Sequence, residues 1–543
     1  MTLVCLLLLG LLAARATFLG TVRAGDLSSL RTDNSERPET ILAPRGSIES
    51  SDGADLAVDR LAVDVTASPN LIKDPAGDAV KLARALNMEA APIEEALRTP
   101  GQYAVVAQDV APGLADRARK LDLAGIFFKD DYQRFAPGDG RAAQVVGLTG
   151  ADRAGLSGLE ASENEVLTGV DGFRLEARDL FGRPIDVITD KEPIPGEDVV
   201  LTVDSRIQTK LQEVIAATME QQRAKSVTAL VMRPQDGAIL GIGSTPDFNP
   251  NERRDLDPDA ERVRAITDAF EPGSTFKVVT MAAALEQKTV TPRTSFVVPW
   301  QIQAYDRTLE DSHEHATQAM TVAQILAQSS NVGTFKVSQT LREDQPLSAW
   351  IKRFGFGQPT GIDYPGELAG SVLPPDQWSG TSQLNIPIGY GTSVTLMQVA
   401  RAYAAVANGG SLITPHLIRS IGGERESLPA PHRIMSPSTA SQLTQMLKGV
   451  VSDDGTASLA EVPGYVVAGK TGTAAKFLPD QGTYSDYLYS ASFVGFAPAD
   501  NPQLLIAVLV DEPTAGSYYA GDVAAPAFEQ IANFSLQTLD ILP

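Results

Sequence analysis

The strongest hydrophobic segment in the second half of the chain is Val278–Leu285, where nearly every residue is apolar. Pro272 and Gly273 interrupt the chain just before it, and neither Gly nor Pro occurs between Ser274 and Gln287. A helix that begins beside a hydroxyl and is apolar on all sides is expected to be buried. The pattern therefore predicts a core helix with Ser274 at its start.

Shorter segments predict a sheet around this helix. Val227–Met232 and Ala238–Ile242 flank the turn residues Asp236 and Gly237, which predicts a β-hairpin. Apolar, β-branched runs predict later strands, and 3.6-residue periodicity predicts helices. These strands are expected at 465–467, 491–496 and 504–510, and the helices at 321–328, 395–406 and 526–539. Strands and helices grouped in this way predict an α+β fold with an antiparallel sheet flanked by helices.

The first half of the chain has its own pattern. Strands are expected at 45–48, 61–66 and 199–203, and helices within 76–98, 110–122 and 207–219. We place the main domain boundary near residue 220. The predicted organisation is an anchor at 1–23, a polar stalk at 24–40, a first domain at 41–219 and a second at 220–543.

Charge and cysteine content narrow the function. The 543 residues carry a net charge of −22 without a long basic block, which argues against nucleic acid as a partner. Cys5 is the only cysteine, so disulfides and thiol catalysis are not expected. It lies in the apolar run Leu3–Val22, which is long enough to span a bilayer and in which Arg15 is the only charged residue. We expect an exported, singly anchored protein, and a signal peptide cleaved after Ala14-Arg-Ala16 is the alternative.

Ser274 and Lys277 are the first pair of residues with evident chemistry. They are three positions apart and therefore share one face of a helix. A serine hydroxyl becomes a good nucleophile when a neighbour takes its proton, and a lysine can do so if burial or a nearby cation lowers its pKa. Alone, the pair is a weak pattern, and a capped helix with an outward lysine is the simpler interpretation.

Two further motifs favour a catalytic role for this pair over the simpler interpretation. Ser329-Ser-Asn331 follows a predicted helix, and Lys470-Thr-Gly-Thr473 is expected to follow the strand at 465–467. The three motifs in this order resemble the signature set of penicillin-binding proteins and serine β-lactamases. Further motifs extend the resemblance over essentially the whole chain, to class B penicillin-binding proteins of the division type. They are Arg45-Gly-Ser-Ile48, Gly155-Leu-Ser-Gly-Leu-Glu160, Gly389-Tyr-Gly391, Ala407-Asn-Gly-Gly410, Ser492-Phe-Val-Gly-Phe496 and Ala524-Ala-Pro-Ala-Phe528.

The resemblance implies a role for each motif residue. Ser274 would be the nucleophile and Lys277 its base, Ser329 would relay a proton, and Asn331 would hold the substrate amide. Lys470 would grip a terminal carboxylate together with Thr471 or Thr473, and would help to keep Lys277 deprotonated. Gly472 would let backbone come close to substrate, and the backbone N–H groups of Ser274 and Thr473 would form the oxyanion hole. Neither a cofactor nor a metal is expected.

The resemblance also implies an architecture and partners. A penicillin-binding transpeptidase domain would stand on an elongated α+β pedestal domain of the dimerisation type, outside the cell membrane and behind a single-pass N-terminal anchor. Expected partners are peptidoglycan stem peptides, lipid-linked nascent glycan, β-lactam antibiotics, a SEDS-family glycan polymerase and other divisome proteins. Two departures concern the pedestal: Ser50-Ser51 replaces an Asp-Arg pair, and Arg134-Phe-Ala-Pro137 lacks a tyrosine.

Several alternatives stay open. An elongation-type enzyme of the same class would share these motifs, and a β-lactamase or an inactive scaffold is disfavoured. Gly464–Thr471 matches the P-loop pattern, but its four intervening residues predict a strand rather than a phosphate-binding loop. Asp311, His313 and His315 are expected to form a polar loop rather than a metal site. Tyr518-Tyr519 is expected to be wall or surface.

Overall fold

The computed structural model describes residues 2–21, 36–178, 184–252, 256–305 and 307–543. Contacts between Cα atoms divide the chain into two compact units. The first comprises 1–47, 59–134 and 165–197, and the second comprises 48–58, 135–164 and 198–543.

These units do not follow a single boundary near residue 220. Segments from the first half of the chain group with the C-terminal residues because their hydrogen-bond partners lie there. Ser51 N–H donates to Val203 O at 2.7 Å, and the Gln144 amide donates to Ser244 O at 3.0 Å. The domain limits drawn from the sequence stay predictions.

Three amphipathic helices and antiparallel strands form the core of the first unit. The helix Pro75–Leu86 begins at Asp74, whose carboxylate accepts a hydrogen bond from Gly77 N–H, and ends at Asn87, where φ is +57°. This left-handed residue divides the single helical region expected at 76–98 into two helices. The helices are Pro75–Leu86, Ala90–Arg98 and Pro112–Arg119, and the strands that pair in this unit are Asp55–Ala67, Ala104–Val110 and Ile126–Phe135. A separate three-stranded antiparallel sheet is built from Glu36–Ile41, Gly172–Arg178 and Pro184–Lys191.

A five-stranded antiparallel sheet forms the centre of the second unit. Its strands are β1 (Ser226–Met232), β2 (Ile239–Ser244), β3 (Ala468–Leu478), β4 (Thr483–Ala497) and β5 (Leu504–Asp511), in the spatial order β2-β1-β5-β4-β3. All seven residues of β1 are buried, as expected for a strand covered on both faces. This order leaves β3 at the edge of the sheet.

Two groups of helices pack against this sheet. Ser205–Gln222 and Ala525–Thr538 contact each other and the sheet, and Leu396–Ala407 contacts β4 and β5. Pro437–Lys448 joins Leu396–Ala407 to the buried helix Lys277–Glu286. The remaining helices of this unit include Arg264–Thr267, Val322–Ala327, Asn331–Ser338, Leu347–Arg353, Gly380–Asn385 and Ala520–Val523.

Further strand pairings complete the second unit. Ile48–Glu49 pairs in parallel with Val199–Leu201 and antiparallel with the first residues of Asp55–Ala67, and Val199–Leu201 continues to Ile418–Ile421 and Glu424–Arg425. The remaining antiparallel groups are Ser295–Val298 with Gln318–Thr321, Gln301–Ala304 with Arg307–Glu310, Ser411–Leu412 with His432–Arg433, and Ala269–Phe270 with Thr392–Thr395 and Ser371–Val372.

The expected fold class is confirmed, and two predicted strands are misplaced. The strand expected at 45–48 begins only at Ile48. Residues 465–467 do not form a strand, because the antiparallel ladder with β4 begins only at Ala468, which pairs with Phe496. Lys470–Thr473 therefore lies within β3 rather than after a strand.

A helix occupies Thr2–Thr21 at the N-terminal end. Among the described residues, none of the helices combines the length and apolarity that crossing a membrane requires. Most of the predicted stalk, from 24 to 35, lies outside the described residues.

Candidate active site

Ser274 lies in a 3₁₀ turn, Gly273–Phe276, which leads directly into the helix Lys277–Glu286. Two hydrogen bonds with residues distant in sequence hold this turn in place. Gly273, at φ +52°, donates its N–H to Gly389 O at 3.1 Å, and the buried Tyr403 hydroxyl donates to Thr275 O at 2.8 Å. The Ser274 hydroxyl makes no hydrogen bond within the part of the chain that the structure describes, so it is free to meet a substrate.

The helix after this turn buries its first residue. Every position from Lys277 to Leu285 is buried, as the apolar sequence predicts, and Lys277 is 0% exposed. Because this lysine begins the helix instead of lying on an outer face, its side chain has no route to solvent.

The edge strand β3 packs directly against the nucleophile turn. A Cβ added at Gly472 would lie 2.6 Å from Pro272 O and 2.7 Å from Ser492 Oγ. Glycine is therefore required here for the strand to approach the turn. The Pro272 carbonyl is the group that faces this glycine, and the expected approach of backbone to substrate stays a prediction.

The motif Ser329-Ser-Asn331 forms a tight turn between two helices. Ser329 has φ +60°, an uncommon left-handed conformation for a residue with a side chain. Ser330 caps the helix Asn331–Ser338, its hydroxyl oxygen accepting a hydrogen bond from Gly333 N–H. The turn directs the Ser329 carbonyl and the Asn331 amide oxygen toward the same lysine.

That lysine is Lys277. Its Nζ lies 2.6 Å from Ser329 O, 2.7 Å from Asn331 Oδ1 and 3.2 Å from Ser329 Oγ. The carbonyl and amide oxygens can only accept hydrogen bonds. A neutral amine has two N–H donors for these two acceptors and one lone pair left to receive a hydroxyl proton. These contacts thus suit a neutral amine at Lys277.

Burial favours the neutral form of the Lys277 amine. Burial lowers the pKa of Lys277 from 10.5 to about 7, because desolvation penalises the ammonium, while the nearby charge of Asp311 opposes the shift. A lysine near this value is half deprotonated at neutral pH, as a general base requires.

Lys470 is a second fully buried lysine. Desolvation lowers its pKa well below 10.5, and repulsion from Lys277 lowers it further. Its Nζ donates to Thr471 O at 3.1 Å and to Thr471 Oγ1 at 3.2 Å. Repulsion between two ammonium groups is mutual, so a charge on either lysine favours the neutral form of the other.

A cavity of about 720 Å³ opens in front of these groups. Ser274, Ser329, Thr471 and Thr473 line it, whereas the fully buried Lys277 and Lys470 lie behind that lining. The cavity therefore presents hydroxyl groups to a ligand, and the two lysines lie behind these hydroxyl groups. It also places Ser274 and Thr473, whose N–H groups are the proposed oxyanion hole, on one surface.

Aromatic residues form another part of the cavity wall. The rings of Tyr489 and Tyr518 stack with centroids 4.0 Å apart at 8°, and Tyr519 lies 4.6 Å from Tyr518. Tyr518 and Tyr519 were expected at a wall or surface, and both line the cavity. Their position depends on the loop before Ala520–Val523, which no local pattern specifies.

Sequence reasoning missed Glu271 and Tyr390. The Glu271 carboxylate accepts hydrogen bonds from Gly391 N–H at 2.8 Å and from the Tyr484 hydroxyl at 3.1 Å. Tyr390 lies between Gly389 and Gly391 and lines the cavity. Glu271 directly precedes Pro272 and Tyr390 lies inside the motif Gly389-Tyr-Gly391, but neither position indicates in the sequence that the two segments touch.

The P-loop pattern and the loop with Asp311, His313 and His315 each have a structural explanation. Lys470 is in the middle of a β-strand, so Gly464–Thr471 does not form a phosphate-binding loop followed by a helix. A group of three His, Cys, Asp or Glu side chains arranged to hold a metal is absent from the residues that the structure describes. Asp311 and His315 contact each other at 3.0 Å, and His313 packs against Tyr519.

The fold and the site define a serine acyltransferase whose cavity is lined by Ser274, with Lys277 and Lys470 fully buried beside it. The penicillin binding protein transpeptidase domain family matches residues 227–533, and the penicillin-binding protein dimerisation domain family matches residues 40–201. The chain is 32% identical over 540 residues to the probable peptidoglycan D,D-transpeptidase PenA of Neisseria meningitidis, covering 98% of this chain and 91% of the relative. It is 30% identical over 534 residues to the peptidoglycan D,D-transpeptidase FtsI of Escherichia coli, covering 96% of this chain and 87% of the relative.

A solved structure agrees with these relatives. Penicillin binding protein 3 from Mycobacterium tuberculosis, complexed with aztreonam, superposes with a TM-score of 0.73 at 30% identity, over 93% of this chain and 98% of the other. The chain belongs to the class B penicillin-binding proteins, and its enzyme class is that of the serine-type D,D-transpeptidases.

The lowered pKa of Lys277 predicts the pH dependence of acylation. Below about pH 7 the amine is protonated and has no lone pair, whereas above it the amine is neutral. The rate of acylation by penicillin should therefore rise with pH through about 7 and then level off. Stopped-flow labelling between pH 5.5 and 9 measures this profile.

Lys277→Arg is the matched control, because guanidinium keeps the charge and does not deprotonate in proteins. We expect the variant to fold and to lose about 10²-fold or more in acylation rate, the usual effect of removing a general base. A near-normal rate, or an unaltered protein with no rise between pH 6 and 8, contradicts the assignment of Lys277 as the base.

Proposed function

We propose that this protein cross-links peptidoglycan stem peptides during septal cell-wall synthesis, through an acyl intermediate on Ser274. The observation that carries the proposal is the buried amine of Lys277, held by Ser329 O and Asn331 Oδ1. This geometry leaves the amine one lone pair, which is what a neighbouring serine needs in order to become a nucleophile.

In the first half of the reaction, Ser274 Oγ attacks the carbonyl carbon of the penultimate D-alanine and its proton passes to Lys277. The tetrahedral intermediate places its negative oxygen at the N–H groups of Ser274 and Thr473. Its collapse breaks the peptide bond, and the departing amine of the terminal D-alanine takes a proton through Ser329. The products are the acyl-serine and free D-alanine.

In the second half, an amine from a neighbouring stem peptide attacks the acyl-serine. The amine gives its proton to Lys277, and Ser274 Oγ takes up a proton as the new peptide bond forms. Atoms and charges balance without a cofactor or a metal. A β-lactam would enter the same first step, and its opened ring would remain on Ser274.

The carboxylate that ends the stem peptide is proposed to bind at Thr471 and Thr473. Both residues line the cavity, and Thr471 Oγ1 lies 3.2 Å from Lys470 Nζ. An arriving carboxylate would favour the ammonium form of Lys470, so this lysine would supply charge from behind the threonines. Asn331 would hold the substrate amide.

The proposed location and partners follow from the relatives and the sequence. The apolar run Leu3–Val22 supports an N-terminal anchor, with the catalytic unit outside the cell membrane. Lipid-linked nascent glycan would supply the stem peptides, a SEDS-family polymerase would build the glycan, and other divisome proteins would place the enzyme at the septum. Similarity to FtsI supports the division role, and the elongation-type enzyme is the second candidate.

Ser274 is predicted to be the acylated residue. Mass spectrometry after incubation with penicillin should find one β-lactam mass on the peptide that contains Ser274, and Ser274→Ala should abolish the adduct. Ser338→Ala is the control, because this serine ends the helix Asn331–Ser338, lies outside the cavity lining and donates its hydroxyl to Phe335 O at 2.7 Å. An adduct on Ser329, or undiminished labelling of the Ser274→Ala variant, would contradict the proposal.

Lys470 is predicted to act through the substrate carboxylate. Removing it should cost about 2–5 kcal/mol for a carboxylate-ended substrate, the range for removing one partner of a buried charged pair. The loss should be smaller for the corresponding C-terminal amide. Rates with a D-Ala-D-Ala-like thioester and with its amide, for the unaltered protein and for Lys470→Ala, give this comparison.

Lys476→Ala serves as the control, since it removes a lysine of the same strand that lies outside the cavity lining and pairs with Asp511 at 2.9 Å. Equal losses with the carboxylate and the amide would show that Lys470 supports the fold or Lys277, and that the carboxylate binds elsewhere.

The septal role is predicted to appear as a division defect. Depletion in the native host, complemented by Ser274→Ala, should produce filaments with unfinished septa, because cross-linking fails where the wall must grow inward. Complementation by the unaltered chain is the control. Rounded or swollen cells that still divide would favour the elongation role instead.

A further inference from the structure

The polar loop that contains Asp311, His313 and His315 forms part of the wall of the active-site cavity. Asp311 is the residue of this loop whose side chain turns inward, and its side chain is only 7% exposed. None of the reaction steps described above uses it. Its contacts nevertheless lead directly to the catalytic turn.

The Asp311 carboxylate accepts hydrogen bonds from the residues on both sides of Asn331. The Ser330 hydroxyl donates to Oδ2 at 2.7 Å, and Val332 N–H donates to Oδ1 at 2.9 Å. Two hydrogen bonds to one carboxylate fix the orientation of the backbone between them. These two hydrogen bonds form a clamp on the turn. The residues next to the clamp are Ser329 and Asn331, whose oxygens contact Lys277 Nζ.

The clamp acts where the backbone is strained. Ser329 at φ +60° would relax toward a commoner conformation unless its surroundings held it, because left-handed residues with a side chain are costly. Relaxation would rotate the Ser329 carbonyl away from Lys277 Nζ, at present 2.6 Å distant. Asp311 thus supports a geometry that the turn does not favour by itself.

His315 provides the balancing charge. Its Nε2 lies 3.0 Å from Asp311 Oδ2 and its Nδ1 lies 2.8 Å from Ala316 O, and both oxygens can only accept hydrogen bonds. An imidazole that satisfies both carries two protons and is a cation. The contact with Ala316 O, and then that with Asp311, raises the pKa of His315.

The charged groups around Lys277 are few. Asp311 is the carboxylate whose charge raises the pKa of Lys277 against the effect of burial, and Lys470 faces Lys277 from β3. On the loop itself, Glu314 is exposed, and Glu310 contributes its backbone carbonyl to Asn331 Nδ2 at 2.8 Å.

We propose that Asp311 is a positioning residue of the active site, whose carboxylate holds the turn that presents Ser329 and Asn331 to Lys277, and whose charge, balanced by His315, acts on the Lys277 amine. The proposal rests on the proposed function of Lys277 as the base. It assigns a role to Asp311 and His315 that neither a metal site nor a merely polar loop would have.

Two substitutions should move the pH profile of penicillin acylation in opposite directions. Asp311→Asn removes the negative charge near Lys277, so the amine deprotonates more easily and the rise in rate moves to lower pH. His315→Gln removes the cation that balances Asp311, so the rise moves to higher pH. In Asp311→Asn the plateau rate should also fall by about tenfold, because the amide cannot accept from both Ser330 and Val332 and the turn loosens.

Glu314→Gln is the matched control. It makes the same carboxylate-to-amide change on the same loop at an exposed position, and the pH of its rise should equal that of the unaltered protein. Thermal melts of the full chain establish that each variant is folded.

A folded Asp311→Asn variant whose rate falls without any shift of the rise overturns the electrostatic role. A shift without loss of plateau rate overturns the positioning role. If Asp311→Asn does not fold, His315→Gln provides the test, because its partly exposed side chain can be replaced without opening the core. A His315→Gln variant whose rate rises at the same pH as that of the unaltered protein then overturns the proposal. Failure of the unaltered protein to label at Ser274 would instead contradict the proposed function.

Discussion

The removal of water from the amine of Lys277 is the constraint on which the rest of the active site depends. A fully buried ammonium is costly, so the group favours its neutral form, and a neutral amine needs two acceptors and leaves one lone pair. Ser329 O and Asn331 Oδ1 are those two acceptors. The apolar helix, the edge strand and the turn before Asn331 each contribute to this environment, and each would have a different sequence if the lysine were on the surface.

Close packing of backbone segments makes that burial possible. A side chain at Gly472 would meet Pro272 O at 2.6 Å, and one at Gly389 would meet Gly273 O at 2.1 Å. The nucleophile turn is therefore enclosed by two segments distant in sequence, each of which approaches through a glycine. Because these contacts are backbone to backbone, they exclude water more completely than flexible side chains would.

Local charges matter more than the overall charge in this site. The protein carries −22, which repels an anionic substrate at long range, but Lys470 is buried behind Thr471 and Thr473, where a carboxylate is proposed to bind. Lys277 and Lys470 repel each other, and this repulsion lowers the pKa of Lys470. Asp311 acts in the opposite sense on Lys277. Burial lowers the pKa of Lys277 and Asp311 raises it, so groups close to this amine, rather than the overall charge, shift its protonation.

The sequence by itself determined the α+β class, the buried helix after Ser274 and the identity of the motif residues. These depend on periodicity and on the order of short motifs, which are properties of neighbouring residues. It placed the strand before Lys470 wrongly, because residues 465–467 are as β-prone as those of β3 and only the register with β4 distinguishes them. Only the tertiary structure decided that Lys470 lies behind the cavity lining, that Gly472 faces Pro272, and that Asp311 and Tyr390 belong to the site. Each of these depends on contacts between segments tens to hundreds of residues apart, whose energies no local pattern contains.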